Sequence, residues 1–171
     1  HSSVEIGSIS EVRGNAQVLR DKAYGAELKF NIQQMDDVRT EAGRVAITFA
    51  DSSTVKLTEH SKLVIDEYIY DPDPSKSKMA LKFASGTARF ITGKFNNKSN
   101  ISIRTPTANI AIRGTDFTCT VDELGRSLVI LLPDENGISS GEIVVATAMG
   151  SVTLNKPYQA TTVSVFENNP T

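Results

Sequence analysis

The sequence has no tryptophan, one cysteine, and an aromatic content of only 6%. The lone Cys119 excludes an intrachain disulfide. It alternates with apolar neighbours in Phe117–Val121, which predicts a buried, small hydrophobe and not a nucleophile or ligand. Scarce aromatics argue against a stacking platform for bases or sugars. Lys and Arg number 18 against 20 Asp and Glu, for a net charge of −2. The basic residues are scattered, so a nucleic-acid surface, which needs clustered cations to displace counterions, is not expected. No apolar run is long enough for a membrane helix, so no direct membrane segment is expected in this stretch of chain. His1-Ser2-Ser3 resembles the end of a polyhistidine tag, which places the native start near Val4 and leaves His60 as the sole native histidine.

What is present reads as β structure. Val45, Ile47 and Phe49 alternate with polar or small residues. So do Val55 and Leu57, Leu63 and Ile65, Met79 to Phe83, Ile101 and Ile103, Ile110 and Ile112, Phe117 to Val121, and Val152 and Leu154. A period of two puts one face of each strand on a core. Leu128–Leu132 and Ile143–Ala146 are apolar without alternation, which predicts strands covered on both faces. No segment carries a helix of three turns, and Asp36 to Glu41 is expected to make a turn at most. Turn-forming clusters recur at short intervals. The longest, Asp71–Lys78 with Pro72 and Pro74, is expected to be an exposed connection inside one domain.

Two segments match at one constant offset. Val38-Arg39-Thr40 leads to Val45-Ala46-Ile47 and Asp51; Ile103-Arg104-Thr105 leads to Ile110-Ala111-Ile112 and Asp116. Lys29-Phe30-Asn31 recurs as Lys94-Phe95-Asn96 at the same offset. Glycine-led strands follow Gly14, Gly86 and Gly150. The pattern predicts an all-β fold of β-solenoid or β-roll type with an internal repeat, the alternative being a β-sandwich. After residues 1–3, a single domain over 4–171 is expected, with pseudo-repeats near 14–66 and 79–132 and a C-terminal winding over 143–166.

Catalytic motifs carry little weight. Gly137-Ile138-Ser139-Ser140-Gly141 matches a nucleophile elbow in spelling only: a turn precedes it, a strand follows, and the native histidine lies upstream. Turn acids could supply oxygens to calcium, Asp134 and Asn136 being the best placed, but none reproduces a calcium loop and no metal site is expected. His60 lacks partners at ligand spacing. Pro106 should end the strand at Ile103, and Gly114 should mark a bulge or a close backbone approach. Thr115 or Asp116 is expected to bond locally to free amides, and Arg113 either to pair with Asp116 or to clamp a ligand carboxylate.

The ordered set formed by Gly7, Gly14, Asp37-Val38-Arg39-Thr40, Val45–Ser53, the glycine of Ser85-Gly86-Thr87-Ala88, Ile103–Ala108 and Ile110–Phe117 resembles the FecR domain, the extracytoplasmic sensor module of iron-dicitrate-type signalling proteins. The resemblance runs from about residue 4 to residue 160. It implies an all-β, non-enzymatic, extracytoplasmic domain without a cofactor, in which Asp37, Thr40, Asp51, Thr105, Pro106, Gly114, Thr115 and Phe117 are motif residues of the structure. Signalling members of that family join the module to a membrane helix and a cytoplasmic anti-sigma region, and receive a signal from an outer-membrane transporter. Similar modules serve in secreted, surface and phage proteins.

The expected function is therefore a protein-binding or signal-sensing module. A structural domain of a larger secreted, surface or virion protein is the second reading, and a carbohydrate- or calcium-binding module the third. The partner is expected to be a protein, or a second copy in self-assembly, met through a sheet edge or face. Candidate binding residues are Arg104, Arg113, Asp116 and, on a C-terminal edge strand over Thr161 to Phe166, Thr161, Val163 and Val165.

Overall fold

The computed structural model describes residues 5–164, apart from 70, 72, 74, 75 and 94–99. The first eight strands are β1 (Glu5–Arg13), β2 (Ala16–Leu19), β3 (Ala23–Gly25), β4 (Asn31–Gln33), β5 (Asp37–Thr40), β6 (Arg44–Phe49), β7 (Thr54–Leu57) and β8 (Lys62–Ile69). They are followed by β9 (Lys78–Ile91), β10 (Asn100–Arg104), β11 (Asn109–Arg113), β12 (Asp116–Val121), β13 (Ser127–Leu131), β14 (Glu142–Thr147), β15 (Gly150–Leu154) and β16 (Ala160–Val163). The fold is all-β, and among the described residues no helix is long and apolar enough to cross a membrane.

Two ladders share the long strand β9. Sheet 1 runs β4-β1-β6-β7-β9-β12-β13-β16, and sheet 2 runs β3-β2-β5-β8-β9-β10-β11-β14-β15. The first part of β9 pairs with β8 and β10, while Gly86 to Ile91 pairs with β12 and, from Ala88, with β7. The chain changes sheet at Gly86, which has φ +101°. A side chain there would run into the backbone and hydroxyl of Ser61, so the crossing requires glycine. Alternation does the rest. The inward residues of both sheets form one core that includes Ile9, Ile47, Leu63, Leu81, Ile103, Ile110, Phe117 and Leu131, each fully buried. Burying such a side chain contributes about 1.5–3 kcal/mol. Phe49 of β6 stacks on Tyr68 of β8 with ring centroids 5.1 Å apart, tying sheet 1 to sheet 2.

Several expectations change. Asp37–Thr40 is a strand and not a turn, because Val38 is buried between β2 and β8 and satisfies the alternation. β13 and β14 are not covered on both faces: Leu128, Ile130 and Val144 are half-exposed, while Val129, Leu131, Ile143 and Val145 are buried. Their outward apolar residues lie on the outer faces of sheets 1 and 2, partly open to solvent. A coil of stacked windings would pair successive windings in parallel. Among the described strands only β9–β10 is parallel, and every other ladder is antiparallel. The copy of the repeat at 94–96 lies outside the described residues.

The offset-matched segments place like residues at like ends. Thr40 and Thr105 lie at the end where β9 changes sheet, and Asp51 and Asp116 lie at the opposite end. Their topology differs. β5 belongs to sheet 2 and β6 to sheet 1, whereas β10 and β11 form a hairpin within sheet 2.

Candidate binding groove

The end of the molecule at the β9 crossing is built from turns. Asn15 lies between β1 and β2, Glu41 between β5 and β6, Glu59 and His60 between β7 and β8, and Asp122, Glu123, Leu124 and Arg126 between β12 and β13. Together with Ala26 and Glu27 after β3, they line an open groove of about 1580 Å³.

Its walls are fastened by hydroxyl groups. The buried Thr40 hydroxyl donates to the Thr58 carbonyl at 2.5 Å and accepts from the Ser61 amide at 2.9 Å, tying two turns together. The Ser61 hydroxyl accepts from the Thr87 amide at 3.2 Å. His60 takes φ +54° in the turn, and its backbone amide donates to the Glu41 carbonyl at 2.9 Å. On the far wall, Asp122 Oδ1 accepts from the amides of Leu124 (2.9 Å) and Arg126 (3.0 Å), and Arg126 Nε donates to Oδ2 at 2.6 Å. Desolvation raises the Asp122 pKa, but the hydrogen bonds from the Arg126 side chain and the turn amides outweigh it and hold the carboxyl below its usual value. The neighbouring β10–β11 turn docks on this wall, with the Thr107 hydroxyl donating to the Gly125 carbonyl at 2.9 Å and lying 2.7 Å from Ser127 Oγ.

The groove's charge is unbalanced. Arg39 is held by Asp37 (3.0 Å) and Arg126 by Asp122 (2.6 Å). Among the described residues, the lining carboxylates of Glu27, Glu41, Glu59 and Glu123 have no ion-pair partner; of the lining cations only Lys62 is likewise unpaired. Leu124, 61% exposed, adds an apolar contact at the rim. Such a surface can attract and seat a cationic, partly apolar segment. Individually these glutamates read as ordinary turn acids; no spacing in the sequence links Glu27 to Glu123.

The predicted binding residues are not brought together. Arg104 is exposed at the end of β10, cross-strand from Lys82 and Asn109. Arg113 is exposed at the opposite end, cross-strand from Glu142. Asp116 bonds neither locally nor to Arg113: its carboxylate takes a bidentate pair from Arg89 on the neighbouring strand, at 2.9 and 2.6 Å. Thr161 and Val163 are buried in β16 against β13, so their side chains face the core and not a partner. Val165 lies outside the described residues.

The motif residues sit in structural positions. Asp37 pairs with Arg39. Asp51, fully buried, accepts from the Tyr68 hydroxyl (2.8 Å), the Ser53 amide (3.2 Å) and the Ser53 hydroxyl (2.5 Å). Thr105 closes the β10–β11 turn, its hydroxyl accepting from the Ala108 amide at 3.0 Å across Pro106 and lying 2.7 Å from Ser127 Oγ. Gly114 marks the expected close approach, with its carbonyl where a side chain on Gly141 would have to go. Phe117 is buried and stacks on Phe90, with centroids 5.1 Å apart. Thr115 is buried, and its hydroxyl has no hydrogen-bond partner among the described residues, against the expectation of a local bond.

The remaining chemistry is accounted for by local structure. Asp134 Oδ1 caps its own turn, accepting from the amides of Asn136 (2.8 Å) and Ile138 (3.0 Å). Ser139, the serine at the nucleophile position of the elbow-like sequence, donates to the Gly141 carbonyl at 2.8 Å. Burial pushes the Cys119 thiol up to about 12, so the thiolate nucleophile is suppressed. Among the described residues, no three His, Cys, Asp or Glu side chains are grouped to hold a metal ion.

The fold and the sequence both find relatives. Two crystal structures, at 2.50 and 1.65 Å resolution, of a chain described as a "putative anti-sigma factor" from Parabacteroides distasonis ATCC 8503 superpose with a TM-score of 0.60 at 14% identity, covering 79% of this chain and 57% of that one. At that identity the likeness is one of fold, and this chain spans little more than half the length of its neighbour. No curated protein matches in sequence. The family model described as FecR protein matches residues 36–169, which include Thr40, Asp51, Thr105 and Asp116. The chain belongs to the FecR protein family.

Proposed function

We propose that this chain is an extracytoplasmic, non-catalytic module that binds a protein partner and senses its presence, as part of a longer signalling protein. Family membership supports a regulatory module, and the fold shared with the Parabacteroides protein agrees with it. The observation that carries the binding reading is the groove at the β9 crossing, with its four unpaired glutamates and exposed Leu124. It is the better partner surface than the C-terminal strand, whose Thr161 and Val163 side chains are in the core. The same geometry supports a two-layer β-sandwich over a wound coil, because the ladders are antiparallel apart from β9–β10 and the inner faces of both sheets share one core.

The test is location. An antibody to this domain, applied to fractionated source cells, should find a band well above the domain's own mass in the envelope fraction. Protease added to spheroplasts should degrade it. A protected cytosolic band would contradict the proposal, and a band in released particles would replace sensing with a structural role.

A further inference from the structure

Among the described strands, sheet 1 ends at β4 and β16 and sheet 2 at β3 and β15, and these edges are not alike. β3 and β4 have three residues each. β3 is guarded by charge: Lys22 Nζ lies 5.2 Å from the Tyr24 ring centroid, and Asp21 accepts from the Tyr24 hydroxyl at 2.9 Å. β16 has four residues. β15, the edge of sheet 2, has five, Gly150-Ser151-Val152-Thr153-Leu154; like β4 and β16 it contains neither a charge nor a proline, and it is the longest of the four. Edge strands of soluble domains are normally blunted by such guards, since their free amides and carbonyls template another strand. The β14 residues directly opposite its outward side chains are also uncharged: Thr153 faces Val144, and Ser151 faces Ala146. Two of the most exposed large apolar residues flank the strand, Met149 (61%) in the turn before it and Tyr158 (70%) in the loop after it.

We infer that β15 pairs with β15 of a second copy of this chain, joining the two sheets 2 across a two-fold axis at Val152. The sequence of the strand is complementary to itself in this register. Ser151 of each copy lies opposite Thr153 of the other on the outer face, Val152 opposite Val152 on the inner face, and Gly150 opposite Leu154. Ser–Thr and β-branched pairs are favourable cross-strand neighbours, and no like charges are opposed, as they would be on a charged edge. An antiparallel two-fold also carries Met149 of each copy to the end of the other strand, where the loop with Tyr158 begins. An isologous contact of this kind closes on itself as a dimer and does not propagate.

Sedimentation velocity over a concentration series, with hydrogen exchange of the β15 amides at both ends of the series, tests this. The expected result is a concentration-dependent dimer in which Gly150–Leu154 amides exchange at least tenfold more slowly than in the monomer. Ser151→Lys with Thr153→Lys, which sets four like charges across the axis, should raise the dimer Kd at least tenfold with an unchanged Tm. A monomer at every concentration, a dimer without β15 protection, or a dimer that the double-lysine variant leaves intact would each overturn the inference. If the double variant is unstable, hydrogen exchange on the unmodified protein decides alone. The groove lies elsewhere on the molecule, so failure here leaves the binding proposal standing, and the reverse also holds.

Discussion

The segment from Thr40 to Asp51 and the segment from Thr105 to Asp116 begin from the same sequence pattern and end in different structures. Both run from a buried threonine at the groove end to an aspartate at the other. In the first, the chain crosses from sheet 2 to sheet 1, and the Thr40 hydroxyl fastens the β5–β6 turn to the β7–β8 turn through Thr58 and Ser61. In the second, Pro106 and the Thr105 hydroxyl close a hairpin on itself, with Thr105 N donating to the Ala108 carbonyl at 2.9 Å. The aspartates diverge too. Asp51 is fully buried and holds Tyr68 and Ser53, whereas Asp116 reaches an Arg89 side chain that is 45% exposed. A local pattern can fix where a residue sits along the strand axis without fixing which sheet receives the next strand. That choice is made by the contacts of the turn.

The contrast should be largest in the aspartates. Asp51→Ala leaves the buried Tyr68 and Ser53 donors without their shared acceptor, an expected loss of about 3 kcal/mol. Asp116→Ala breaks a half-exposed ion pair and is expected to lose about 1 kcal/mol or less. Urea unfolding of the two variants measures both, and equal losses would break the comparison. The threonines come next. Thr40→Val removes a link between two turns and strips the Ser61 amide of its acceptor, for about 2 kcal/mol; Thr105→Val, which loosens one hairpin, should lose about 1 kcal/mol. Hydrogen exchange sharpens this: Thr40→Val should deprotect amides in both the β5–β6 and β7–β8 turns, and Thr105→Val only those around its own hairpin and Ser127.

The smallest effect is expected at the groove wall, from acid. The Asp122 carboxyl is held below its usual value in the folded state, so its contribution to stability is present above the ordinary carboxylate pKa of about 3.9 and is lost as pH falls through the lower folded value. Asp122→Asn should therefore be slightly less stable than the parent at pH 7 and equal to it at the acid end of the titration. A gap that persists there would assign the loss to the turn geometry and not to the charge.

Much of the fold was legible because alternation reports burial directly: Val45, Ile47, Leu63, Leu81, Ile110 and Phe117 all face the core. Alternation says nothing of which strand lies alongside or in which direction, so it offered no means of choosing between a stacked coil and a sandwich. The continuous apolar runs of β13 and β14 misled for a related reason. Leu128 and Ile130 lie on the partly exposed outer face of sheet 1 and Val144 on that of sheet 2, which composition cannot distinguish from covered faces. Gly114 and Pro106 were readable because their backbone constraints are intrinsic to the residue. The groove was not: Glu27, Glu41, Glu59 and Glu123 stand on four separate turns, and only the folding of both sheets brings them to one end.

The most direct measurement is a binding titration of a fluorescent Lys- and Leu-bearing heptapeptide against the parent and a Glu41→Gln, Glu59→Gln, Glu123→Gln variant, at low and high salt. If the turn end is the partner face, the parent binds, salt weakens binding, and the variant loses at least tenfold in affinity with an unchanged Tm. Absent binding, or equal affinity in parent and variant, would contradict the assignment of the partner surface to the groove.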